Sequence, residues 1–141
     1  MSGSPKVVLW ISRHRPLTTQ VKTLEEKLGS IKLIEYAKPV PTAEKVIEIV
    51  EQTNASYVIP VLPMSFVIRL VQESKKIGFK VLRAEMELIH HCTTKPCPDY
   101  NPNTDSIVES KDFETGNIIY RHYRFKGFKV LKEVKFVEEE F

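Results

Sequence analysis

VVLWISRHRPLTTQ, residues 7–20, decides how the chain reads. A continuous apolar run gives way to Ser12-Arg13-His14-Arg15-Pro16, after which Leu17, Val21, Leu24 and Leu28 recur at near-helical spacing. An uninterrupted apolar run is what a strand covered on both faces requires. The later spacing is that of an amphipathic helix, and Gly29 sits where a helix ends in a left-handed residue. The stretch is therefore a strand, a polar corner and a helix.

The same alternation repeats downstream. Residues 31–37 form a second apolar strand, closed by Lys38-Pro39-Val40-Pro41. Thr42 then stands as an N-cap before Ala43, Val46, Ile47 and Val50, which share one helical face. Residues 57–62 form a third strand, and Pro63-Met64-Ser65 turns it into a helix with Val67, Leu70 and Val71 inward and Gly78 at its end. A fourth strand, residues 80–90, becomes more polar towards its end. Strands alternating with helices of this length predict an α/β fold: right-handed βαβ units in a mostly parallel sheet flanked by helices.

After His91 the composition changes. Residues 92–105 are rich in Pro, Asn, Asp and Thr and read as a surface loop. Extended segments 106–113 and 118–125 flank Glu114-Thr115-Gly116-Asn117, a hairpin signal. Residues 128–137 also alternate, as a further strand would. The expectation is one domain over residues 1–141: a βα core to residue 91, a loop, and a C-terminal β-hairpin extension from residue 106.

Hydrophobic residues make up 42% and charged residues 28% of the 141, which supports a folded soluble core and argues against disorder. A net charge of +3 is too mild to identify a nucleic-acid binder, though it suits an anionic ligand, and no DNA is expected. Residues 1–6 lack the apolar core of a signal peptide, and the apolar runs are too short for a membrane span. Cys92 and Cys97 are too few for a secreted disulfide scaffold, so a cytoplasmic protein is expected.

In an open α/β sheet, ligands bind beyond the carboxyl ends of the strands, where the strand order reverses. With strand two outside strand one and strand three on its other side, that crevice lies between Ser12-Arg13-His14 and Leu62-Pro63-Met64-Ser65. Helices beginning near Thr18 and Ser65 point unpaired N–H groups at it. Arg13 and Arg15 add charge, and Ser12, Thr18, Thr19 and Ser65 add hydroxyls. A phosphate fits that description, and so does an ordinary polar loop with a helix cap. No glycine-rich nucleotide signature is present.

Two other clusters stand out. IIYRHYRF, residues 118–125, alternates basic and aromatic side chains, with His122 and Arg124 on one face and Arg121 and Tyr123 on the other. It is either a phosphate- and base-binding strand or a half-exposed strand with a solvated basic side. HHCTTKPC, residues 90–97, leaves three states open: zinc on the cysteines and a histidine, a disulfide across the loop, or reduced thiols. Its spacing matches no standard zinc module, so no metal and no cofactor are expected. Glu85 and Glu87 are placed to pair with the basic hairpin.

ISRHRPLTTQ followed by LEEKLG resembles the amino terminus of small CRISPR-associated Rossmann-like proteins of the Csx type, and IIYRHYRFKGF resembles their terminal hairpin strand. That resemblance implies a ring nuclease, which binds the cyclic oligoadenylate messenger of type III systems and cleaves it without a metal. It also implies a homodimer with the ring across its two-fold axis. On this reading His14 and Ser12 are catalytic, an imidazole being suited to proton transfer near neutral pH. Arg13, Arg15, Thr18, Gln20, Met64, Ser65, His122 and Arg124 contact the ligand. Where such proteins often carry glycine, this chain has Leu62-Pro63-Met64-Ser65-Phe66. A non-catalytic sensor of the same messenger and an RNA-binding protein are the rival expectations.

Overall fold

The computed structural model describes residues 4–95 and 97–141; Met1, Ser2, Gly3 and Pro96 lie outside the described residues, and with them part of the amino-terminal segment and of the cysteine loop. It is an α/β fold, a mixed six-stranded sheet flanked by three helices. In chain order the elements are β1 (Lys6–Ile11), α1 (Thr18–Leu28), β2 (Ile31–Tyr36), α2 (Ala43–Thr53), β3 (Tyr57–Pro60), α3 (Met64–Ile77), β4 (Lys80–Cys92), β5 (Asp105–Lys111) and β6 (Ile118–Leu131). The sheet order is β2-β1-β3-β4-β6-β5. The β1–β2, β1–β3 and β3–β4 pairs are parallel, and β5–β6 is antiparallel.

Two compact units make up the chain: Met1–Arg15 with Leu28–Arg83 and Lys129–Phe141, and Pro16–Lys27 with Ala84–Phe128. In the first unit, Val8, Leu9, Trp10 and Ile11 are all buried, so both faces of β1 are covered, as its unbroken apolar run requires. Leu9 and Ile11 join Val46, Val50, Val58, Leu70 and Val81 in one core cluster. Thr42 caps α2 by accepting the Lys45 N–H at 3.2 Å. Gly78 ends α3 with φ at +96°, a conformation that favours glycine.

The second unit holds α1 up to Lys27, β4 from Ala84, β5, and β6 up to Phe128. Gln20, at the third helical position of α1, accepts the Leu17 N–H at 2.8 Å, the back-reaching half of a capping box. Its Nε2 lies 3.9 Å from Met86 Sδ on β4. Thr19 donates its N–H and its hydroxyl to the Asn103 carbonyl, at 3.2 and 2.8 Å, tying the helix to the loop before β5.

The C-terminal region departs from expectation in one way. Two strands, over residues 118–125 and 128–137, were the reading, but a single strand runs from Ile118 to Leu131. Gly127 with φ at +142° lets the backbone pass through without a break, and residues 132–141 carry no strand. The hairpin turn lies where the Thr-Gly-Asn signal puts it, with Asp112 accepting from the Glu114 N–H at 3.0 Å and Gly116 at φ +75°.

Candidate functional site

The corner after β1 is built around a buried tryptophan. Trp10, 4% exposed, donates its indole N–H to the His14 carbonyl at 2.9 Å. Ser12 Oγ accepts the His14 N–H at 3.1 Å. The main chain of His14 is thus held from both sides while the residue itself is exposed, as are Arg13 and Arg15. Ser12 donates its own N–H to Tyr36 at 3.3 Å, and Val61 donates to Ile11 at 2.8 Å, so the carboxyl ends of β2, β1 and β3 finish level. Because β2 and β3 flank β1 on opposite sides, the order reverses at this end, between β1 and β3. Met64 and Ser65, exposed, open α3 behind Pro63, which supplies no side-chain cap, while the Phe66 N–H donates to the Pro63 carbonyl at 3.0 Å. Arg15 reaches Glu35 only at 3.9 Å with a side chain 92% exposed, a contact that contributes little.

The sequence-predicted residues divide between the two units. Ser12, Arg13, His14, Arg15, Met64 and Ser65 belong to the first unit; Thr18, Gln20, His122 and Arg124 belong to the second. Thr18 is exposed, whereas Gln20 is buried and its polar atoms serve Leu17 and Met86. His122 has no exposed surface, and Arg124, its side chain 33% exposed, commits Nε and Nη2 to a carboxylate.

That carboxylate, Asp105, centres a second polar cluster. Asp105 opens β5 opposite Arg124 of β6, and both it and His122 are fully buried. Its Oδ1 accepts from Arg124 Nε at 2.9 Å and the Thr104 hydroxyl at 2.7 Å. Its Oδ2 accepts from Arg124 Nη2 at 3.0 Å, the Asn101 N–H at 2.9 Å and His122 Nε2 at 2.7 Å. Those donors, the Arg124 guanidinium first, hold the carboxyl far below the usual carboxylate range against the opposing effect of burial. An ionised carboxylate only accepts, so His122 Nε2 carries a proton, and in the neutral ring Nδ1 then presents the lone pair.

His122 Nδ1 faces His90 Nε2 at 3.2 Å, and His90 Nε2 in turn lies 2.6 Å from Asp99 Oδ1. His90 is on β4, next to β6 in the sheet, and the two imidazoles meet edge to face at 4.9 Å. The bond to Asp99 raises the His90 pKa and lowers that of Asp99, each favouring the charged form of its partner. Arg124, His122, Asp105, His90 and Asp99 therefore form one connected network. Sequence reasoning missed Asp99 and Asp105, which read as loop residues. The cue in the chain was the alternation that put His122 and Arg124 on one face.

Cys92 and Cys97 form a disulfide, which resolves the three states left open by the sequence, and Cys92 Sγ lies 3.0 Å from His90 Nδ1. Glu87 pairs with Lys126 of β6 at 3.2 Å, as expected of the acidic side of β4. Among the described residues, no buried side-chain nitrogen or oxygen lacks a hydrogen-bond partner, and no helix is long and apolar enough to cross a membrane. No protein-family model, curated protein or solved structure matches the chain.

Proposed function

We propose that the protein binds an RNA-like phosphodiester, a cyclic oligoadenylate, at the carboxyl ends of β1 and β3 and cleaves it, acting as a Rossmann-like ring nuclease of type III CRISPR signalling. One observation carries this reading: His14 is exposed beside Arg13 on a turn whose main chain is pinned by Trp10 and Ser12, at the end where the strand order reverses. An exposed imidazole carried on a pinned main chain, with an arginine next to it in sequence, can supply proton transfer and anion stabilisation. The resemblance of residues 11–29 to Csx-type proteins supplies the ligand.

In the proposed reaction a ribose 2′-oxygen attacks the adjacent phosphorus. The O2′–P bond forms as the P–O5′ bond breaks, leaving a 2′,3′-cyclic phosphate and a 5′-hydroxyl. The 2′-hydroxyl proton leaves to a base and O5′ receives one, with His14 as the group that moves protons. Arg13 and Arg15 offset the charge on the equatorial oxygens, and the uncapped start of α3 at Met64 and Ser65 faces the ring. His122, Arg124 and Gln20, engaged elsewhere, are left out of the ligand contacts. The reading includes a cytoplasmic homodimer.

The test is incubation with cyclic tetra-adenylate and cyclic hexa-adenylate in excess chelator, with products resolved by chromatography. Linear products with 2′,3′-cyclic phosphate ends, lost in His14→Ala, are the expected result. Intact rings with tight binding favour a non-catalytic sensor. Failure to bind either ring rejects the reading.

A further inference from the structure

We propose that His90 Nε2, His122 Nδ1 and Asp99 Oδ1 are the protein ligands of a divalent transition-metal site of the zinc class. The three atoms form a triangle with edges of 3.2 Å (His90–His122), 2.6 Å (His90–Asp99) and 3.5 Å (His122–Asp99). Tetrahedral zinc with bonds of about 2.0–2.1 Å holds its ligands about 3.3 Å apart. Two edges already match that spacing, and the third opens by about 0.7 Å through rotation of Asp99, whose side chain is 54% exposed.

The hydrogen bonds show why a cation suits this point. His122 donates through Nε2 to Asp105, so in the neutral ring its Nδ1 offers a lone pair. Asp99 Oδ1 is likewise an acceptor. His90 Nε2 lies within hydrogen-bond distance of both. Three atoms that can each offer an electron pair converge here, the arrangement a metal ion satisfies. His90 then keeps its ring proton on Nδ1, beside Cys92 Sγ.

The support around the triangle is that of a ligand set. Asp105 fixes the tautomer and orientation of fully buried His122, and the Arg124 guanidinium fixes Asp105 through two hydrogen bonds. A carboxylate behind a histidine ligand is the common outer shell of such sites. His90 and Asp99, 34% and 54% exposed in their side chains, stand on the solvent side, giving the ion a way in and leaving further coordination positions to water. Two imidazoles and one carboxylate suit zinc, cobalt or nickel over magnesium or calcium. A second triangle, His90 with Cys92 and Cys97, shares His90 but has its thiolates withdrawn by the disulfide.

The inference is independent of the proposed ring cleavage, because its readout is metal binding. Full-length protein, stripped with chelator and kept without reductant, is titrated with Zn²⁺ by calorimetry and with Co²⁺ by absorption. The expected result is one equivalent per chain, with a cobalt spectrum lacking thiolate charge-transfer bands. Asp99→Asn, a change on a half-exposed side chain, and His90→Gln each weaken binding by more than the roughly tenfold that loss of an outer-shell partner costs, with circular dichroism unchanged. His91→Ala, at an exposed neighbour, binds as the parent does. Binding that is substoichiometric, that is unchanged in Asp99→Asn, or that shows thiolate bands overturns the assignment.

Discussion

His122 Nε2 donates to Asp105 Oδ2 across 2.7 Å, and neither side chain has any exposed surface. Arg124 closes on the same carboxylate with two hydrogen bonds, so the antiparallel β5–β6 pair is stitched by a buried histidine, a buried aspartate and an arginine. Truncating one partner of a buried charged network strands the others, at a cost of about 3–5 kcal/mol. Arg124 is one-third exposed and recovers some hydration, which places Asp105→Ala near the lower end, about 3 kcal/mol. Urea unfolding of this variant should show the midpoint falling at unchanged slope.

The same carboxylate sets an acid limit on stability. Its pKa is depressed on folding, so it contributes stability that is fully present above the ordinary carboxylate value of about 3.9 and is lost as pH falls below it. Urea midpoints measured from pH 7 down to pH 2.5 should therefore fall steeply on the acid side. Asp105→Asn should start lower and lose less over that range.

The turn after β1 makes a separate prediction. Trp10→Phe keeps most of the buried ring but removes the donor to the His14 carbonyl, and Ser12→Ala removes the acceptor for its N–H. Each change should cost about 1–2 kcal/mol or less, since one hydrogen bond is lost in each. If positioning of His14 matters to cleavage, both variants should slow turnover of cyclic oligoadenylate about tenfold or more while leaving the global fold intact by circular dichroism.

Gln20→Ala should destabilise by about 1–2 kcal/mol, from the lost cap at Leu17 and the lost contact with Met86. Ring binding should be unaffected once stability is restored by lower temperature. A loss of binding there would return Gln20 to the ligand site.

Much of the βα core was legible because its signals are local. The spacing of Ala43, Val46, Ile47 and Val50, the Thr42 cap and the Gly78 stop each act within one helix. The end where strand order reverses followed from the alternation of elements. The network around Asp105 was not legible, because it depends on register. Alternation placed His122 and Arg124 on one face, but only the pairing of Asp105 with Arg124 and of Ile107 with His122 makes that face a buried one. The partners His90 and His122 stand 32 residues apart and meet only because β4 and β6 are sheet neighbours. The separation of 118–125 from 128–137 fails for a similar reason, since nothing local distinguishes a glycine that ends a strand from one, such as Gly127, that lets it continue.

The chain has four histidines, so its imidazole resonances are a small, assignable set. Titration of isotopically labelled protein with cyclic tetra-adenylate, read by proton–nitrogen NMR of the ring nitrogens, tests directly where the ligand goes. The account requires the His14 signals to shift while those of buried His122 stay in place. Movement of His122 and His90 with His14 unchanged would contradict it and move the ligand site to the second unit.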